Sequence, residues 1–173
     1  MKWIKRDDRD GEFDGCVFCE LPRQADDEKH RVLVRSEHAY AVLNNAPYCP
    51  GHTLVVPRNH IETYADLSEE SLVDLSKLQQ RTATVLRETL SPSGMNIGMN
   101  LGSAGGASIT DHVHVHVVPR WEADTTFMPV VGNTKVLPEA LDDTYDRLRD
   151  GFAGLEGVSD GDADSALTVV SDD

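Results

Sequence analysis

The chain has 173 residues, with 16 Lys and Arg against 30 Asp and Glu and a net charge of −14 at pH 7. That length predicts one domain with a tail, large enough to bury a core without disulfides. The charge argues against wrapping a nucleic-acid backbone, and no run of 18 apolar residues predicts a membrane span.

Residues 1–14 are charged and contain glycine, and they read as a mobile arm. No apolar stretch follows their basic residues as a signal peptide requires, so the expected location is cytoplasmic. Arg31 to Val34 and Tyr40 to Asn44 read as strands, and His52 to Pro57 (HTLVVP) as a central strand after a Pro/Gly-marked turn. Ser68 is the predicted N-cap of a long helix, with Ser71 where a capping box would prefer Glu or Gln. Leu72, Leu75, Leu78, Val85 and Leu86 follow at helical spacing to about Leu90, and Ser91-Pro92 ends the run. Met95 to Leu101 reads as a strand, Gly102 to Gly106 as a flexible loop, and His112 to Pro119 as a strand. Leu137 to Phe152 reads as a second amphipathic helix. Residues 154–173 are rich in Asp and without aromatic residues, and are expected to be disordered. The fold class is α+β: one domain over residues 15–153, an antiparallel meander with a long helix and a C-terminal helix.

The acids are 19 Asp and 11 Glu, the bases 11 Arg and only 5 Lys. Such a surface repels itself in dilute buffer and is tolerated where salt screens it, which points to a halophilic host.

His112, His114 and His116 alternate with valines. In a strand the three imidazoles share one face at ~6.6 Å spacing, while Val113, Val115 and Val117 face the core. Folding a sheet does not require three aligned titratable rings. Two chemistries remain open on the residues alone. The three histidines could form a catalytic zinc site. Alternatively, one neutral imidazole attacks phosphorus and forms a phosphoramidate, while its neighbours donate hydrogen bonds to the phosphate oxygens. Cys16 and Cys19 form a CxxC whose two thiolates suit one metal ion. Cys49 reads as a packed thiol near a turn, and His30 and His38 as surface histidines.

His-Val-His-Val-His-Val-Val (112–118) resembles the signature of the histidine-triad family. Pro50-Gly51-His52-Thr53-Leu54-Val55-Val56-Pro57 resembles its PGHxLVxP segment, and Asn44 stands eight residues before His52, as in that family. The resemblance spans about residues 15–150. It implies that His114 is a nucleophile forming a nucleotidyl-histidine, that His116 contacts the transferred phosphate or the leaving group, and that His52 sits opposite. It also implies that Asn44, Asn100 and Ser108 contact the nucleotide, that the protein is a homodimer, and that the chemistry needs no metal. Some members carry zinc on the CxxC, on a His three residues after the strand's proline and on the first triad His. Those positions here are Cys16, Cys19, His60 and His112, a closed Cys2His2 set. Pro119-Arg120-Trp121 resembles the branch acting on dinucleoside polyphosphates such as diadenosine tetraphosphate. An adenosine phosphoramidase and a nucleotide-binding regulatory module are the alternatives, and Trp121 reads equally as a rim packing residue.

Overall fold

The computed structural model describes residues 15–24, 26–124, 139–159 and 165–170. The predicted arm, residues 1–14, lies outside the described residues. Among the described residues no helix is long and apolar enough to cross a membrane.

Two short helices lead in: α1 (Val17–Glu20) and α2 (Asp27–His30). Asp26 caps α2 by accepting from the Lys29 N–H at 3.0 Å, and Arg31 closes it in the left-handed region at φ 57°. Three strands follow, β1 (Val32–Arg35), β2 (Ala39–Leu43) and β3 (Thr53–Pro57). They form an antiparallel meander with Tyr40 opposite Val56 and Val42 opposite Leu54. Helix α3 (Glu69–Leu90) is capped by Ser68, whose Oγ accepts from the Ser71 N–H at 3.2 Å. It ends at Ser91 with φ 48°, ahead of Pro92. Then come β4 (Gly94–Met99), β5 (Val115–Arg120), α4 (Leu141–Ala153), β6 (Val158–Ser159) and β7 (Leu167–Val169).

The sheet has seven strands in the order β4-β5-β3-β2-β1-β7-β6. All neighbours are antiparallel except β1 and β7. One face packs against α3 and α4 through Leu33, Ala41, Val55, Leu75, Leu78, Val85, Leu86, Val115, Val117 and Leu148. Burial of each such side chain is worth about 1.5–3 kcal/mol before the entropy of ordering it. The helices cross closely at Gly151, where an added Cβ would lie 2.5 Å from Thr89 Oγ1 and 2.8 Å from Val85 Cγ1. The opposite face carries a smaller cluster of Phe18, Leu21, Val32, Tyr40, Val42, Leu54, Val56 and Ala166.

Three expectations need correction. The first concerns the C-terminal segment, whose composition predicts disorder. Its described residues instead form β6 and β7, with Leu167 fully buried and paired to Val34. The Asp27 carboxylate is itself buried; it pairs with Arg35 and accepts from the Ala166 N–H at 2.7 Å. An Asp-rich average hides the stretch Ala166-Leu167-Thr168-Val169-Val170, whose four apolar residues suffice for one short strand. Second, His30, the last residue of α2, is buried and is not a surface residue. Third, the histidine strand begins at Val115, not His112. The Val113 N–H donates to the Ile61 carbonyl at 2.7 Å, outside the ladder that β5 makes with β3.

Candidate active site

β3 and β5 are antiparallel neighbours, with Leu54 opposite His116 and Thr53 opposite Val117. This register brings His52, just before β3, beside His116 on β5. Alternation sends Val115 and Val117 into the helix-side core. His114 and His116 project to the other face, with ring centroids 4.9 Å apart.

The hydrogen bonds fix the proton on each ring. A carbonyl only accepts, so the 2.9 Å contact between His114 Nδ1 and the His112 carbonyl places the proton on Nδ1. Nε2 of His114 then carries a lone pair, as a nucleophile needs. His52 Nδ1 accepts from the Tyr48 backbone N–H at 3.0 Å and from the Asn44 side-chain amide at 3.2 Å. The Asn44 amide is itself oriented, because its Oδ1 accepts from the Ala46 N–H at 3.0 Å. With Nδ1 accepting, His52 is protonated on Nε2, which donates to His116 Nδ1 at 2.9 Å. His116 is left with its proton on Nε2, 3.4 Å from the Asn100 side-chain amide, which accepts from it when its oxygen is the atom turned toward the ring. A nucleophilic nitrogen on His114 and a donating N–H on His116 thus stand on neighbouring rings.

Burial disfavours the charged form of these imidazoles. It lowers His114, partly opposed by the hydrogen bond to the His112 carbonyl. Burial, with a smaller contribution from neighbouring His114, lowers His116 to about 4. Both rings are neutral at pH 7, the state in which His114 can attack.

Asn44, His52, Asn100, His114 and His116 are therefore brought together. Ser108 is not: it lies exposed on the loop before the triad, and among the described residues no hydrogen bond joins it to the histidines. Sequence reasoning missed Tyr48, whose backbone orients His52 and whose ring stacks on His116 at 5.9 Å with 16° between planes. It also missed Phe18, whose ring lies 4.9 Å from His114 and 5.6 Å from His112. The signal for Phe18 was its place inside the CxxC. Trp121 is half-buried, and its backbone N–H donates to the Asp124 carboxylate, which also binds Arg120. Cys49 donates to the Pro119 carbonyl at 3.0 Å, a packing role.

The four candidate metal-site residues also converge. One donor atom from each of Cys16, Cys19, His60 and His112 lies within 4.8 Å of every other. His112 Nδ1 is 3.3 Å from Cys16 Sγ and 3.6 Å from Cys19 Sγ, and His60 Nδ1 is 3.2 Å from Cys19 Sγ. Tetrahedral zinc–sulfur and zinc–nitrogen bonds would put such S···N pairs roughly 3.6 Å apart. His112 Nε2 donates to the Pro57 carbonyl at 2.9 Å, which leaves Nδ1 unprotonated and aimed at the thiols. Burial keeps His112 neutral and pushes the Cys19 thiol up to about 11. The donor set and its geometry fit a closed four-coordinate ion. A separate surface cavity of about 660 Å³ is lined by Asp26, Glu28, Lys29, Arg31, Asp142, Tyr145 and Asp146. Its four carboxylates repel polyphosphate, and it contains none of the histidines above.

The mixed sheet, with three ordered histidines on and just before β5 beside a PGH turn, defines the class of protein. The HIT domain model matches residues 25–123, and the chain belongs to that family. It is 40% identical over 141 residues to a Mycobacterium tuberculosis protein named AP-4-A phosphorylase, covering 82% of this chain and 72% of that one. It is 35% identical over 94 residues to the asymmetrical bis(5'-nucleosyl)-tetraphosphatase of Schizosaccharomyces pombe, covering 54% of this chain and 51% of that one. Among solved structures, a Zn-bound histidine triad family protein from Mycobacterium smegmatis superposes with a TM-score of 0.65 at 27% identity, covering 80% and 94% of the two chains.

Proposed function

We propose that the protein cleaves dinucleoside polyphosphates such as diadenosine tetraphosphate through a nucleotidyl-histidine at His114. The observation that carries this is the hydrogen-bond chain: His114 Nδ1 on the His112 carbonyl leaves a lone pair on Nε2, and His52 Nε2 donating to His116 Nδ1 leaves the His116 proton on Nε2. The names of the M. tuberculosis and S. pombe relatives support the substrate class.

His114 Nε2 attacks a terminal nucleoside phosphorus, a P–N bond forms, and the P–O bond to the rest of the substrate breaks. The leaving oxygen departs as a polyphosphate anion and needs no proton, only the hydrogen bond from His116 Nε2–H. His52 holds that proton in place by donating to His116 Nδ1. In the second step water or inorganic phosphate attacks the same phosphorus and the P–N electron pair returns to Nε2. Water yields AMP, with release of a proton; phosphate yields ADP.

The Cys16, Cys19, His60 and His112 set would hold a structural zinc ion, and when bound it would supply a cross-link between α1 and the histidine segment. The protein would act as a homodimer. β4 is an edge strand with exposed Ile97, and Leu101 is exposed beyond it, which offers an edge for pairing. The acid balance is that of a protein working in a salt-rich cytoplasm, and a stability titration in KCl tests this: full stability in dilute buffer is incompatible with it.

The function is tested by incubation with diadenosine tetraphosphate in multimolar KCl, with and without inorganic phosphate. ADP plus ATP formed only with phosphate means a phosphorylase, and AMP plus ATP without it means a hydrolase. His114→Asn should bind the substrate and not turn it over. Full activity in that variant, or no cleavage by the wild type, refutes the proposal.

A further inference from the structure

Tyr48 combines three features. The residue is 57% exposed. It nevertheless stacks on the His116 imidazole at 5.9 Å, nearly parallel, and lies 4.5 Å from the His52 ring. Its backbone is also held: the N–H donates to His52 Nδ1, it lies between Pro47 and Pro50, and its neighbour Cys49 donates to the Pro119 carbonyl. A single exposed aromatic residue needs no explanation by itself. An exposed ring fixed parallel to a reacting imidazole is a different object, because little conformational freedom is left to lose when a flat ligand settles on it.

His116 and His52 lie on the side of the leaving group in the reaction proposed above, and this inference rests on that reading. A dinucleoside polyphosphate differs from smaller phosphoric esters in having a second nucleobase on that side. Any base offers a π-face to an aromatic ring, whatever its hydrogen-bonding edge. We infer that Tyr48 is a specificity-determining residue that stacks the base of the leaving nucleotide and so favours substrates with two nucleosides over those with one.

The test uses the full chain with His114→Asn to prevent turnover. It compares diadenosine tetraphosphate with adenosine 5'-tetraphosphate, which lacks only the second adenosine. Dissociation constants are measured by calorimetry with Tyr, Phe or Ala at position 48. Tyr48→Ala keeps the backbone N–H to His52. It should weaken the dinucleotide about tenfold, the scale of one base–aromatic stack, and adenosine tetraphosphate less than twofold. Tyr48→Phe should behave as Tyr48. Equal weakening of both ligands would make Tyr48 a support for the histidines alone and overturn the inference, as would an unchanged dinucleotide affinity. If the protein with Tyr48 intact binds neither ligand, the proposed function fails first.

Discussion

His52→Phe isolates what the buried histidine does for its neighbour. Phenylalanine keeps the ring shape at a site with no exposed surface, so little cavity opens. It removes an acceptor for the Tyr48 N–H and the Asn44 amide, and the donor to His116 Nδ1. An unsatisfied buried donor costs about 1–3 kcal/mol; Asn44 is partly exposed and recovers a partner in water, so a stability loss near 2 kcal/mol is expected. The catalytic loss is separate. One net hydrogen bond, about 1 kcal/mol, biases His116 toward the tautomer with its proton on Nε2. Without it the donating tautomer drops and the rate of intermediate formation should fall by up to about fivefold, the factor that 1 kcal/mol gives, with KM little changed. Rapid-quench measurement of protein-bound nucleotide in a single turnover reads that rate, and urea unfolding reads the stability. An unchanged rate in a destabilised protein would reduce His52 to packing. A fall as complete as that of His114→Asn would give it a direct part in the reaction. Either result refutes the relay.

Acidification should have two effects. Because burial lowers both His114 and His116 below the ordinary imidazole value, the first step should hold as pH falls through 6.5 and fail only below it; a midpoint at 6.5 or above in the single-turnover profile contradicts this. Over the same window the unfolded chain takes up protons that the folded rings refuse, so stability is complete above 6.5 and lost as pH drops toward 4, which urea midpoints at pH 7, 6 and 5 will show. Chelation of a metal-loaded sample should lower the Tm by about 10 °C, the shift that ~3 kcal/mol gives in a domain of this size, with activity lost as the protein unfolds; immediate loss at full stability would mean the ion serves the chemistry. Gly151→Ala should destabilise despite a helix-propensity gain of about 1 kcal/mol, because Thr89 and Val85 must move and overpacking costs about 1–3 kcal/mol; a raised Tm would show that the helices separate freely there.

Local rules were sufficient for the meander and the long helix. HTLVVP has β-branched residues at the right density for β3, and Ser68 and Pro92 mark the two ends of α3 in the sequence itself. The histidines were legible because alternation decides their face before any tertiary contact exists. What could not be read depends on distant partners. His112 and His114 precede the regular strand, where Ile61 takes the Val113 N–H and Pro57 takes the His112 ring N–H, both from another segment. Tyr48 orients His52 through a backbone N–H, which any residue other than proline supplies, and its ring meets His52 and His116 only once the turn and β5 come together, so no local pattern marked it. β7 was hidden by aspartates on either side of it; its pairing with β1 needs a partner from the opposite end of the chain, and composition averages do not register such a partner.

That pairing also bears on the order of synthesis. The meander of β1, β2 and β3 and the histidine strand can all emerge and pair before the last residues are made. Val34 and Arg35 must wait for Leu167 and Thr168, and the Asp27 carboxylate must wait for the Ala166 N–H. A nascent or truncated chain therefore presents an open strand edge, and the apolar residues that Ala166 covers, next to the Cys16–Cys19 segment. The chemistry-bearing half of the molecule is complete early, while the β1 edge is covered only once β7 has been made.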